Sequence, residues 1–522
     1  MTAGARSPED QRLRAEQWDH LAHRVFGTGP AFPVRSPFDG QLLTQVPTST
    51  DSEVAAAADL ARAAQGEWAA RPVEERAQVL LDFHDQLLSA LDRIVDLLQL
   101  ESGKSRVSAS EEVLHVAVTA RYYGRTARRY LHPERGRGMF PLLTRIDRYQ
   151  VAKGLVGVIA PWNYPLTMAI SDGLAALVAG NAVLLKPDAR TPLVSLAAVE
   201  LLQQSGMPAG LWQVVNGDGD RVGPAVIDQS DYVCFTGSTR TGRAVAARCA
   251  DRLIGCSLEL GGKNPMLVLD DVDVAAAAAG AVRASFANAG QLCVAAERIY
   301  VHQSVFDQFC SEFTARTNEL VLGRGLAFDY DMGCLISTSQ LDRVVAHVED
   351  ARSQGAQVLT GGRQRPDLGP LFYEPTILTG VTPTMACCTE ETFGPVVSLF
   401  PVADEAEAIA RANESEYGLN ASVWTSDPAR GRRVAARIRC GTVNVNEGFA
   451  ASFGSIDAPM GGMKSSGIGR RQGKEGLRRF VDVQSVATQS LIPIAPSLGL
   501  SARGYVAAMV GALRVLKRSG RA

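Results

Sequence analysis

None of the nine cysteines belongs to a CxxC pair, and none has histidine at ligand spacing beside it, which argues against a structural zinc site. Their number is odd and no secretory leader precedes them, so reduced thiols and a cytoplasmic location are expected. The opening MTAGARSPEDQRLRAEQW is polar and mixed in charge, unlike a signal or transit peptide. No apolar run reaches the roughly 18 residues of a membrane span. Neither sign of charge is in excess, with 53 Lys and Arg against 55 Asp and Glu and a net charge of -2. The basic field that nucleic-acid binding needs is therefore missing, and neither nucleic acid nor membrane is an expected partner. Repeats and low-complexity linkers are also lacking. What is present is 522 residues, 46% hydrophobic and 21% charged, the balance of an ordered globular chain. At roughly 150 residues per domain the length suits about three domains.

Thr50 and Glu53 have capping-box spacing and open an alanine-rich amphipathic stretch to about Trp68, which Pro72 ends. Residues 73–100 again carry apolar side chains at helical spacing and predict one further helix that packs on a larger body. From residue 155 short apolar runs alternate with helical stretches. Strands are expected at 155–160, 182–185, 212–215 and 232–235, with helices after Pro165 and Pro192 and before Tyr232. That rhythm predicts an α/β parallel sheet with crossover helices. A second α/β unit is expected from about Met266, with helices over 274–289 and 305–320 and strands at 298–301 and 396–400. Gly361 to Pro370 reads as a loop.

Three short segments carry residue types suited to chemistry. Cys293 follows a break at Gly290 in a helical run, and a thiolate presented there could attack an electrophilic carbon. Glu259 ends an apolar strand and precedes two glycines that permit close approach. Asn163, in Pro161-Trp162-Asn163-Tyr164-Pro165, follows the strand that ends at Ala160, and its amide can donate to an oxyanion. Taken singly, each has a plain structural reading: a buried small hydrophobe, a surface carboxylate and a turn asparagine.

Together with LLKPDARTP from 184, FTGST at 235, EETFGPV at 390 and GGMKSSGIGR from 461, these segments resemble the aldehyde dehydrogenase superfamily, in family order, from about residue 30 to about 490. Glu259 and Cys293 lie 34 residues apart, the spacing of hydrolytic members. Within the superfamily the likeness runs to the actinobacterial succinate-semialdehyde dehydrogenase (NADP+) branch. The resemblance implies a Rossmann-like dinucleotide-binding domain (1–129 and 153–261), an α/β catalytic domain (262–463) and a β oligomerisation element (130–152 with 478–490) that makes a homodimer or homotetramer. Residues 497–522 remain as a C-terminal extension. It implies NAD(P)+-dependent oxidation of an aldehyde to an acid, here succinate semialdehyde to succinate. Cys293 would form a thiohemiacetal and then a thioester, Asn163 would hold the oxyanion and Glu259 would activate water. Lys186 would bind the adenosine ribose, and Trp162 would line its groove. Gly237 and Ser238 would face the pyrophosphate from a helix start, although no GxGxxG is present. Leu260, Glu391 and Phe393 would meet the nicotinamide end, and no metal is implied.

Three departures from the family pattern matter. Ala189 stands where NAD-preferring members carry a glutamate, and Arg190 follows it, so NADP is the expected cofactor with NAD possible. Ala287 stands where some succinate-semialdehyde dehydrogenases hold the substrate carboxylate with arginine. Arg283, Arg298 and Ser452 are then the open candidates. Arg471 replaces a glutamate proposed elsewhere as an alternative base, which leaves Glu259. The rival readings are an aldehyde dehydrogenase of broad or other specificity, a coenzyme-A-acylating dehydrogenase, which usually lacks the glutamate at 259, and a catalytically silent homologue. In the extension, residues 505–516 are apolar enough for a short helix. Arg503, Arg514, Lys517, Arg518 and Arg521 make it basic, and docking on the enzyme or a neighbouring subunit is expected ahead of a membrane surface.

Overall fold

Thr50 caps the helix Asp51–Ala70 by the reciprocal contact expected of it. Its hydroxyl accepts from the Glu53 N–H at 3.3 Å, and Glu53 Oε2 accepts from the Thr50 N–H at 2.8 Å. This computed structural model describes residue 16 and residues 18–140, 143–497 and 499–518. Most of the polar N-terminal segment, residues 141–142 of the expected hairpin and Arg521 of the extension lie outside the described residues. The helix expected over 73–100 is two, Val73–Ser89 and Leu91–Ser102, divided at Ala90 (φ -95°, ψ 10°). Alanine gives no breaking signal. The bend lets Leu80, Phe83 and Leu87 on one segment and Ile94 and Leu98 on the other enter the same core.

The alternating region folds as a six-stranded sheet in the order Gly467–Ile468, Gly255–Glu259, Tyr232–Thr236, Leu155–Ile159, Ala182–Lys186, Trp212–Val214, parallel except for the first pair. Every residue of Leu155–Ile159 and Ala182–Lys186 is buried, as strands covered on both faces must be. The second region forms a seven-stranded sheet with Asn264–Val268, Ala296–His302 and Val396–Val402 as neighbouring strands of its interior. The apolar core of the first region runs to Leu260 and takes in Leu292, Leu419, Phe449 and Phe480 from later in the chain, while that of the second lies within 266–440. A third sheet pairs Val481–Gln489, Thr144–Ala152 and Glu134–Arg137, all antiparallel. Its outer strand, Val481–Gln489, is exposed beyond its first residue. Among the described residues no helix is long and apolar enough to cross a membrane.

The extension forms the helix Ala502–Arg518, but no residue of it is buried. Val506, Val510 and Leu513 stand exposed along one face. Among the described residues the chain's own surface buries none of this helix, which corrects the expected docking there; the alternative expectation, a neighbouring subunit, concerns a second chain.

Two glutamates from the helical layer tie it to the six-stranded sheet. Glu101 accepts from the Leu193 and Val194 N–H groups (2.7 and 2.8 Å) at the start of the helix Leu193–Gln204. Glu112 accepts from Leu166 and Thr167 (2.8 and 3.0 Å) in the first turn of Pro165–Val178, whose cap residue Tyr164 offers no side-chain bond. The Lys104 ammonium pairs with the other Glu112 oxygen and donates to the Asn163 carbonyl at 2.9 Å; both charged side chains are inaccessible to solvent. Removing one partner of such a pair strands the other. Lys104→Met is expected to lower the unfolding free energy by about 3 to 5 kcal/mol in urea denaturation. A loss below about 1 kcal/mol would show that the pair does not anchor this helix start.

Candidate active site

The nucleophile turn is built from backbone geometry that the sequence signals only through Gly290. The helix expected over 274–289 ends at Phe286, and Asn288, Ala289 and Gly290 follow with φ of 52°, 54° and 69°. A Cβ on Gly290 would collide with the Gly394 carbonyl, so glycine is required there for conformation and for space. Gln291 pins the turn: its Nε2 donates to the Asn288 and Cys334 carbonyls, and its Oε1 accepts from the Ile336 N–H. Asn264 donates from Nδ2 to the carbonyls of Cys293 and Ala295, both at 2.8 Å. Cys293 is thereby fixed from either side.

Cys293, Glu259 and Asn163 line one cleft of about 1020 Å³, together with Trp162, Gly237, Ser238, Leu260, Glu391, Phe393 and Arg471. Asn163 is buried and donates one Nδ2 hydrogen to the Gln291 carbonyl at 3.1 Å, which leaves the second amide hydrogen for the cleft. Glu259 stands at the end of Gly255–Glu259, with no hydrogen-bond partner for Oε1. Burial raises its carboxyl to about 7, against the pull of Arg471. Glu391 accepts from the Gly262 N–H at 2.8 Å. Burial, then the neighbouring Glu297, raises it to about 8. Burial, then the Glu259 and Glu391 carboxylates, pushes the Cys293 thiol up to about 12. Phe393 (φ 55°) meets Trp162 edge to face at 5.5 Å. The Phe393 loop is held by Glu297, which accepts from the Thr392 and Phe393 N–H groups (each 2.9 Å) and pairs with Lys263.

A second cleft of about 1230 Å³ continues past Trp162 and Gly237 to Lys186, Asp188 and Arg190. Lys186 is buried, and its ammonium donates to the Pro187 carbonyl at 3.1 Å. Burial lowers its pKa. Ser238 caps the helix Thr239–Asp251 with its side chain. Ala189 adds no charge here. Arg190 is not the free cation that its position beside Ala189 suggested: Asp188 holds it in a two-point ion pair (2.8 and 2.9 Å), and it stacks 5.4 Å from the Trp162 ring. Lys186, Asp188 and Arg190 together still leave a net positive charge at this end.

The candidates for a substrate carboxylate separate clearly. Arg298 is spent on the carbonyls of Lys263, Arg411 and Ala412 and does not line the cleft. The Ser452 hydroxyl donates to the Phe449 carbonyl. Arg283 is half-exposed and paired with Glu111 at 2.9 Å, 5.9 Å from the Phe449 ring. Sequence reading noted Arg471 only as a departure from the family, yet it is buried in the cleft wall and bound to Asp172. Asp172, Glu112, Lys104 and Glu297 were missed altogether, because their partners lie on other elements. Among the described residues no cluster of three or more His, Cys, Asp or Glu side chains could hold a metal ion.

Residues 26–486 match the model of the "Aldehyde dehydrogenase family". A Mycolicibacterium smegmatis protein named "Putative succinate-semialdehyde dehydrogenase [NADP(+)]" is 48% identical, over 93% of this chain and 94% of its own. The betaine aldehyde dehydrogenase from Staphylococcus aureus, solved in complex with NAD+, superposes with a TM-score of 0.87 at 31% identity, covering 94% of this chain and 99% of that one. An Escherichia coli structure described as an NADP dependent enzyme superposes with a TM-score of 0.85 at 34% identity, over 88% and 95% of the two chains. The chain belongs to the aldehyde dehydrogenase family.

Proposed function

We propose that this aldehyde dehydrogenase oxidises succinate semialdehyde to succinate with NADP+, with Cys293 as nucleophile, Asn163 as oxyanion donor and Glu259 as the base that activates water. The observation that carries the reading is the meeting of these three side chains in one cleft, although they come from separate segments of the chain. The Mycolicibacterium smegmatis relative bears that substrate and cofactor in its name. The absence of any fixed cation at Ala287 keeps a broader aldehyde specificity as the second reading. The presence of Glu259 beside Cys293 favours hydrolysis over transfer to coenzyme A.

The Cys293 thiol gives its proton to solvent as Sγ bonds to the aldehyde carbon, and the resulting oxyanion accepts from the free Asn163 amide hydrogen and from the Cys293 backbone N–H. Each such donor lowers the barrier by about 3 kcal/mol. The dinucleotide, when bound, supplies the hydride acceptor. The acyl group is then held on Cys293 as a thioester. Glu259 takes a proton from water, the water oxygen bonds to the acyl carbon, and the carbon–sulfur bond breaks to release the acid. Glu259 acts only when ionised. Lys186 has donors to spare for the ribose hydroxyls, Gly237 and Ser238 lie at the start of Thr239–Asp251 for the pyrophosphate, and Glu391, Leu260 and Phe393 stand at the nicotinamide end. The surplus positive charge of Lys186, Asp188 and Arg190 accepts a 2'-phosphate. The division into residues 1–129 with 153–261 for the dinucleotide, 262–463 for catalysis and 130–152 with 478–490 for homo-oligomer formation belongs to the same reading. Val483 and Val486, exposed on the open edge strand, suit the last role.

Cys293→Ala is expected to abolish oxidation while NADP+ binding, read by calorimetry, stays near the wild-type value; turnover at the wild-type rate would remove Cys293 as nucleophile. Glu259→Gln is expected to give one burst of reduced cofactor and then stall at the thioester. In the unmodified enzyme the hydrolysis step should quicken as pH rises through about 7, where Glu259 loses its proton. Loss of the burst itself would assign Glu259 an earlier step. Ala189→Glu should turn preference from NADP+ toward NAD+, because a buried like-charge clash costs on the order of a few kcal/mol. Equal kcat/KM for the two cofactors in the unmodified enzyme would count against the phosphate site.

A further inference from the structure

The wall behind Glu259 holds more charge than the reaction outlined above uses. Arg471 Nη2 lies 2.9 Å from Asp172 Oδ1, and Arg479 Nη2 lies 2.6 Å from the same oxygen. All three side chains are under a tenth exposed, at 6% for Arg471, 6% for Asp172 and 9% for Arg479. Two guanidinium groups on one carboxylate leave a buried net charge of one, and charge taken out of water needs a counter-charge. The other contacts do not supply it. Arg479 donates to Ser257 Oγ at 2.8 Å. Arg471 meets the thioether sulfur of Met168, a weak and neutral acceptor.

The opposite charge is on the next strand. Ser257 and Glu259 belong to the same strand, and Arg471 lines the cleft with Glu259 and Cys293. The charged and titratable groups that face Glu259 come from three directions. Arg470, Arg471 and Arg479 follow Gly467–Ile468, Asp172 comes from Pro165–Val178, and Cys293 comes from the nucleophile turn. Arg470 is partly exposed and donates to the Gly462 and Gly469 carbonyls. Burial pushes the Glu259 carboxyl up, and Arg471 leads the groups that pull it down.

We propose that Arg471, paired with Asp172 beside Arg479, is a positioning residue that acts through Glu259 by supplying the counter-charge of its carboxylate in the wall of the cleft. The cluster is neutral when Glu259 is ionised and carries an unbalanced charge when Glu259 is protonated, so the form of Glu259 that can take a proton from water is the form the wall stabilises. This rests on the reading of Glu259 as base. Lysine at 471 would keep the charge; an uncharged side chain would lose it.

The test is the rate of acid release from the thioester against pH, in single turnovers followed by rapid quench. Arg471→Met is expected to move the ascending limb up by about 1 to 3 pH units, with a rate loss of about tenfold per unit below the limb and a plateau at high pH that survives. Arg471→Lys should bring the limb back toward its wild-type place. Asp172→Asn, which adds to the positive charge facing Glu259, should move it down. Arg479→Gln, whose charge also faces Glu259, should move it up and serves where Arg471→Met does not fold. A lowered plateau with the limb unmoved in these variants would reduce Arg471 to a structural role and overturn the proposal. So would a KM raised for a carboxylate-bearing aldehyde, and not for a neutral one of equal length, with the limb in place, since Arg471 would then be a substrate anchor. Steady turnover by Glu259→Gln would instead remove the base assignment itself, a failure distinct from an unmoved limb in enzymes whose Glu259→Gln form stalls as expected.

Discussion

A carboxylate removed from water must be met by donors or cations, and that requirement organises this molecule from its scaffold to its cleft. Glu101 and Glu112 are buried and are met by the opening N–H groups of two helices. Glu297 is met by Lys263 and by the loop that ends in Phe393. Asp172 is met by two arginines. Three of the four fix the place of something the chemistry uses: Glu112 the start of the helix after Asn163, Glu297 the ring of Phe393, and Asp172 the guanidinium of Arg471. Glu259 Oε1 has no hydrogen-bond partner at all. A scaffold carboxylate is saturated so that it does not react, while a base must keep a lone pair open for a proton.

The layers are coupled by this arrangement. Lys104 donates to the Asn163 carbonyl while it pairs with Glu112, and Asn288 Nδ2 donates to that same carbonyl at 3.2 Å. The oxyanion donor and the nucleophile turn are therefore positioned by one buried network, which reaches back into the helix Arg106–Leu131. Most contacts of this network join a side chain to a backbone group, so the geometry depends chiefly on the few charged residues that bridge elements.

The sequence made the alternating strands, the capping box and the strand-end placement of Glu259 and Asn163 legible, because periodicity and turn residues are local signals. The break at Gly290 brought Cys293 into view, and the motifs that resemble the family brought Glu391 and Lys186; all three line the two clefts. What was not legible depends on partners far along the chain. Nothing near Ala90 announces a break, since alanine favours helix and only packing divides it. Asp172 and Arg471 are ordinary surface residues by composition, and their pairing exists only once Pro165–Val178 and the C-terminal segment meet. Asp188 lies close enough in sequence to weaken the reading of Arg190 as a cation, and the two do pair. The extension shows the converse: its amphipathic pattern predicted a helix, which forms, whereas pattern alone does not name the surface that an apolar face covers.

The same electrostatic logic bears on which aldehydes enter. Burial, and after it the Glu259 and Glu391 carboxylates, opposes negative charge at Cys293, so a second acid group on the substrate has to be held away from the nucleophile or matched by a cation. Arg471 is committed to a buried partner, and breaking such a pair is costly. Arg298 is enclosed by carbonyls outside the cleft. Arg283 differs, because its partner Glu111 is half-exposed and an exposed pair is worth at most about 1 kcal/mol. It stands beside Phe449 and close enough to act on Tyr164, which lines the cleft. Of the three, Arg283 is therefore the arginine whose present partner can be exchanged at little cost.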